Sequence, residues 1–142
     1  MFQPSGIEMY QNLWPIHAIL MTTGAVLLIL GGLIAHTMKE KPSWLKNHHF
    51  FEFVGFLCVI TALIISFYMV SASGGPQFRV LHAYSGIITF AFVTATLILG
   101  PLNMKVKSHN KEIRKMHRWV GRITFILLIV QIVIGLFTAK IL

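Results

Sequence analysis

IHAILMTTGAVLLILGGLIAHTM, residues 16–38, contains no Asp, Glu, Lys or Arg. At 1.5 Å per residue it makes a helix of about 35 Å, enough to cross the ~30 Å hydrocarbon core of a bilayer. Three more stretches read the same way, at about 48–71, 80–100 and 117–139. The chain has 142 residues, of which 56% are hydrophobic and 11% charged, so little is left over for a water-facing domain. The expectation is an all-α integral membrane protein, one transmembrane domain over residues 1–142. Its connections are short, which makes sequential helices antiparallel and predicts an up-down-up-down four-helix bundle. Pro15 suits the first turn of helix one, Pro42-Ser43 and Ser73-Gly74-Gly75-Pro76 separate the next spans, and Gly100-Pro101 stops the third.

The net charge of +8 is a topology signal, not the footprint of a nucleic-acid partner. Lys39, Lys41 and Lys46 fall between helices one and two, and Lys105, Lys107, Lys111, Arg114 and Lys115 between three and four; only Arg79 and Lys140 lie at the other face. The positive-inside rule then predicts both termini and the 72–80 loop outside, with the two Lys/Arg-rich loops in the cytoplasm. No positively charged segment precedes the first apolar stretch and no small-residue cleavage site follows it, so helix one is expected to be retained. The single cysteine, Cys58, excludes an intrachain disulfide and a Cys-x-x-Cys-His attachment site.

Seven histidines are many for such a chain, and each apolar stretch has one near its start: His17, His48 or His49, His82 and His117. Alternating helix direction sorts them into two levels. With helices in order round a ring, one faces three and two faces four, which pairs His17 with His82 at the outer level and His48 or His49 with His117 at the inner. Two imidazoles facing each other at matched depth are what a low-spin haem needs for bis-axial ligation, and ionisable residues inside membrane helices are functional candidates by default.

A macrocycle needs room, so small residues should follow each ligand at helical spacing. His17 is followed by Met21, Gly24 and Gly31; His82 by Gly86, Thr89 and Thr96; His117 by Gly121, Thr124 and Gly135. The same residue types also serve close helix packing in membranes. On helix two the face of His48 continues through Glu52, Gly55, Ala62 and Ser66, whereas that of His49 continues through Phe53, Phe56 and Ile60. His48 is therefore preferred, with His49 as the alternate. His36 and His109 lack a diagonal partner and are read as interfacial and solvated, with proton transfer a second role open to His36.

LWPIHAILM (13–21), HHFFEFVG (48–55), LHAYSGI (81–87) and MHRWVGR (116–122), with Gln131 and Gly135 further on, together resemble the cytochrome b561 superfamily, particularly its membrane domain found fused to DOMON domains. The resemblance spans nearly the whole chain. It implies two non-covalent haems b, one between helices one and three and one between helices two and four. It also implies electron transfer from a donor on one face to an acceptor on the other. Those ligand roles fall on His17, His82, His48 and His117. The sequence departs from the family at Glu52, where relatives often carry glutamine, and includes neither their outer flanking helices nor a DOMON domain.

The expected function is thus a dihaem conduit, with Gly24, Gly55, Gly86 and Gly121 beside the haems. Arg122, one turn into helix four, would offset propionate charge or attract an anionic donor such as ascorbate, together with Lys46, Lys115 and Arg118. The partners expected are membrane lipid and a redox donor and acceptor, whether small molecule, quinol or protein. A quinol-linked cytochrome b subunit of a larger redox complex is one alternative, and a haem-free scaffold or metal or proton carrier is another. A homodimer is open. Whether the protein counts as an enzyme depends on what reaches its two faces.

Overall fold

A computed structural model of the chain describes residues 6–106 and 110–139. These residues are all-α and form four helices: α1 (Gly6–Thr37), α2 (Trp44–Ala72), α3 (Leu81–Lys105) and α4 (Asn110–Thr138). Among the described residues there is no strand. Each helix is long and apolar enough to span a membrane. The chain forms two compact units, residues 1–79 and 80–142, and each is a helical hairpin.

Four helix ends lie well beyond the expected boundaries, among them the start of α2 at Trp44 where 48 was expected. α1 begins at Gly6, so Pro15 is inside the helix and not in its first turn. Pro101 likewise sits within α3, which runs on to Lys105. Proline removes one N–H from the ladder, a loss that membrane helices accommodate by local adjustment of the freed carbonyl. α4 starts at Asn110, because the charged stretch Lys111–Met116 is made of good helix formers that extend the apolar span toward water. His17 and His117 are therefore two or more turns into their helices. His109, Lys107 and Lys140 lie outside the described residues.

The first hairpin has a constant antiparallel register: His17 meets Ala62, Gly24 meets Gly55 and Gly31 meets His48. Its core is Ala25, Leu28, Val59, Ala62 and Met69. The helices approach closely at Gly24, where an added Cβ would lie 2.7 Å from Val59 Cγ2 and 2.9 Å from the Gly55 carbonyl oxygen. Without a hydrophobic drive between helices in lipid, such small-residue contacts supply the dispersion energy that holds them together. α2 ends in a Schellman cap, with Gly74 at φ 70° and its N–H donating to the Ser71 carbonyl while that of Gly75 donates to Val70. The connection beyond is tied back onto α2 by Gln77, whose Nε2 donates to the Phe67 carbonyl at 3.1 Å and to Ser71 Oγ at 2.7 Å.

The second hairpin is built on the same plan. His82 meets Gly135, Gly86 meets Gln131, Thr96 meets Gly121 and Gly100 meets His117. Thr89, Val93, Thr124 and Leu128 are buried along the seam. Each threonine hydroxyl lies within hydrogen-bond distance of the carbonyl four residues earlier, and the Thr96 and Thr124 oxygens are 3.0 Å apart across the seam, where one of the two protons is shared between carbonyl and hydroxyl. The outer surfaces carry Phe50, Phe53, Ile64, Leu81, Ile98, Ile126 and Phe137, all exposed. In a bilayer such surfaces need no further cover from water.

Candidate functional site

The four histidines at the span starts share one geometry: each turns into the seam and sets Nδ1 against the other helix of its own hairpin. In the first hairpin, His17 Nδ1 is 3.0 Å from the Ala62 carbonyl oxygen and His48 Nδ1 is 2.9 Å from that of Gly31. In the second, His117 Nδ1 is 3.1 Å from the Thr96 carbonyl oxygen, and His82 Nδ1 is 2.9 Å from Gln131 Nε2. In every case a small residue opposite makes the approach possible: Ala62, Gly31, Gly100 or Gly135. At Gly135 an added Cβ would be 3.0 Å from His82 Cε1.

A carbonyl oxygen only accepts, so a neutral imidazole bonded to one carries its proton on Nδ1 and its lone pair on Nε2. That is the tautomer a metal-ligating histidine needs, and the Nδ1–H···O=C bond is the usual second contact that fixes ring orientation. In His17, His48 and His117 a backbone carbonyl thus sets the tautomer with its lone pair on Nε2. Their chemistry fits a haem iron, which these imidazoles would hold through Nε2. Among the described residues no three His, Cys, Asp or Glu side chains gather as a free-standing metal site. Bis-histidine haem ligation does not require such a group.

The adjacent histidines of α2 differ in environment. The His48 side chain is 12% exposed and faces α1, with Glu52 Oε1 3.7 Å from its Nδ1. His49 is exposed. Glu52 fills the space over Gly31, where an added Cβ would lie 2.7 Å from its Oε1. Gly24, Gly55, Gly86 and Gly121 all line the seams, facing Val59 and Gly55, Leu28 and Gly24, Gln131, and Thr96 respectively. Close helix packing thus accounts for these four glycines without a cofactor. Arg122 is exposed, its guanidinium 5.2 Å from the centroid of the Trp119 ring. His36 is exposed at the end of α1.

Sequence reasoning named Gln131 only as part of the family resemblance and missed the partners of these histidines, the contact of Gln131 with His82 above all. Its Nε2 donates to the His82 carbonyl at 2.9 Å and its Oε1 accepts from Ser85 Oγ at 2.6 Å. Gln131 lies on the same stripe of α4 as His117, Gly121 and Thr124, so the seven-residue spacing could have flagged it as facing α3.

Four membrane-length helices, with imidazoles held inside them and three of these in a ligating tautomer, define an integral, multi-pass membrane protein. The model of the eukaryotic cytochrome b561 family matches residues 16–142, and the chain belongs to the cytochrome b561 family. Family membership makes it a transmembrane electron-transfer protein that binds b-type haem. Neither a curated protein nor a solved structure matches the chain.

Proposed function

We propose that the protein carries two haems b and passes electrons across the membrane from a donor on one face to an acceptor on the other. His17 and His82 ligate the iron at the outer level, and His48 and His117 the iron at the inner. Haem supplies the one-electron chemistry; the chain's own residues hold and orient. The observation that carries the reading is the shared Nδ1 geometry. Three of the four imidazoles donate to a backbone carbonyl of the neighbouring helix, which puts the ring's lone pair on Nε2, the tautomer that iron ligation needs. His48 is preferred to His49 because it is the one held against α1. Gly24, Gly55, Gly86 and Gly121 serve the site by letting paired helices approach closely enough for these bonds.

Two ligand levels support the conduit reading. Along α1, His17 and the level of His48, marked by Gly31, are fourteen residues apart, or about 21 Å at the α-helical rise. Along α3, His82 and the level of His117, marked by Gly100, are eighteen residues apart, or about 27 Å. Separations of that size put one ligand level toward each face of the bilayer. Arg122, with Lys115 and Arg118, lies near the inner level, where guanidinium and ammonium groups bind propionates or an anionic donor such as ascorbate. The Lys/Arg-rich connections face the cytoplasm and both termini the opposite side, by the bias of basic residues between loops.

The test is vectorial transfer in proteoliposomes. Ferricyanide trapped inside should be reduced by ascorbate added outside, and vesicles carrying His117→Ala protein should lose that reduction. Equal rates with wild-type and His117→Ala protein would sink the proposal.

A further inference from the structure

His82 is held differently from the other three candidate ligands, and the difference has chemical consequences. His17, His48 and His117 each meet a backbone carbonyl, an acceptor no substitution of a side chain removes. His82 Nδ1 meets the amide nitrogen of Gln131 instead. That amide is oriented by two further contacts: Nε2 donates to the His82 carbonyl oxygen at 2.9 Å, and Oε1 accepts from Ser85 Oγ at 2.6 Å. An amide NH2 only donates, so in this arrangement Nδ1 is the acceptor and the proton of the neutral ring is on Nε2. This is the wrong tautomer for ligation through Nε2.

The same groups can also hold the ligating tautomer. With the Gln131 amide turned over, its oxygen meets Nδ1–H and its nitrogen donates to Ser85 Oγ. Ser85 then gives its own proton to the Leu81 carbonyl oxygen, already 2.9 Å away. The ring loses its proton at Nε2 and holds one at Nδ1, so its charge is unchanged. The cost is the bond from Gln131 to the His82 carbonyl, an acceptor already engaged in the helix. Space for the turn is provided by Gly86, since an added Cβ there would lie 3.1 Å from Gln131 Nε2.

We infer that Gln131, backed by Ser85, is a positioning residue for His82: its amide reorients when haem binds and sets the basicity, and hence the potential, of that haem alone. The inference rests on the proposed ligand role of His82. A stronger acceptor at Nδ1–H makes the imidazole a better electron donor to iron and favours the oxidised state; removing the acceptor does the reverse.

The experiment is a spectrally resolved redox titration of purified holoprotein, comparing wild type with Gln131→Met, Gln131→Glu and Ser85→Ala. His82→Ala identifies the haem component that depends on His82. Gln131→Met should raise the midpoint potential of that component, Gln131→Glu should lower it, and the other component should stay put. Ser85→Ala should move it in the direction of Gln131→Met by a smaller amount. If wild type carries two haems and neither Gln131 variant moves the His82-dependent midpoint, the inference fails while the dihaem reading stands. If no haem component depends on His82, the ligand assignment and the inference fall together. Gln131→Glu keeps the test decisive should Gln131→Met fail to fold, because it preserves size and polarity.

Discussion

Gly24 and Gly32 lie eight residues apart on one helix and have opposite surroundings. A Cβ at Gly24 would meet Val59 Cγ2 at 2.7 Å and the Gly55 carbonyl oxygen at 2.9 Å, and a carbonyl in a helix cannot step aside. At Gly32 nothing lies within 4 Å. Gly24→Ala should therefore push α1 off α2 and destabilise the hairpin by about 1–3 kcal/mol, the usual range for overpacking. Gly32→Ala should be neutral or stabilising by up to ~1 kcal/mol through helix propensity. Thermal unfolding in detergent, followed by far-UV circular dichroism, distinguishes the two; equal midpoints would refute the close contact. The loss should extend to His17 and His48, whose bonds to Ala62 and Gly31 bracket that contact.

For the helices, the end of α2 gives a sharp expectation. Gly74 adopts φ 70°, where an L-residue costs roughly 1–2 kcal/mol. The neighbouring Gly75 would place a Cβ 3.6 Å from Ser73 Oγ, an ordinary contact. Gly74→Ala should lower the unfolding midpoint and Gly75→Ala should not, in the same melting experiment; the reverse order would contradict the Schellman cap. The break after α2 was legible in the sequence as Ser73-Gly74-Gly75-Pro76, because turn chemistry is local, although the cap itself was not. The helix starts were less legible. Hydropathy marks where a helix enters hydrocarbon, not where its hydrogen bonding begins, so Gly6–Trp14 and Lys111–Met116 were invisible to an apolar-run reading. Pro15 and Pro101 misled for a related reason: proline signals a helix end most reliably in water, and both lie inside helices here.

Over the whole molecule, the histidines proposed as ligands stand out in the sequence, because a histidine near the start of every apolar span is a pattern of spacing alone. What spacing could not give was the atom each ring nitrogen would meet. That depends on the register between helices, and register is a tertiary property set by pairs such as Gly24 with Gly55 and Gly86 with Gln131. The small residues after each histidine were legible as a face, yet their immediate partner is the adjoining helix of the same hairpin. The two hairpins repeat one device, two imidazoles anchored at opposite ends of a seam, with no obvious likeness between the two halves of the chain. Gln131 is the point at which the repeat breaks, and His82 the proposed ligand on which it bears.

The central claim is that four histidines hold two haems, in pairs that join α1 with α3 and α2 with α4. The most direct measurement is a pyridine haemochrome count with a reduced-minus-oxidised spectrum on wild type and on His17→Ala, His82→Ala, His48→Ala, His117→Ala and His49→Ala proteins. Two haems b per chain are predicted, with His17→Ala and His82→Ala losing the same spectral component, His48→Ala and His117→Ala losing the other, and His49→Ala keeping both. A single haem, or the loss of one component by His17→Ala and His48→Ala together, would contradict it.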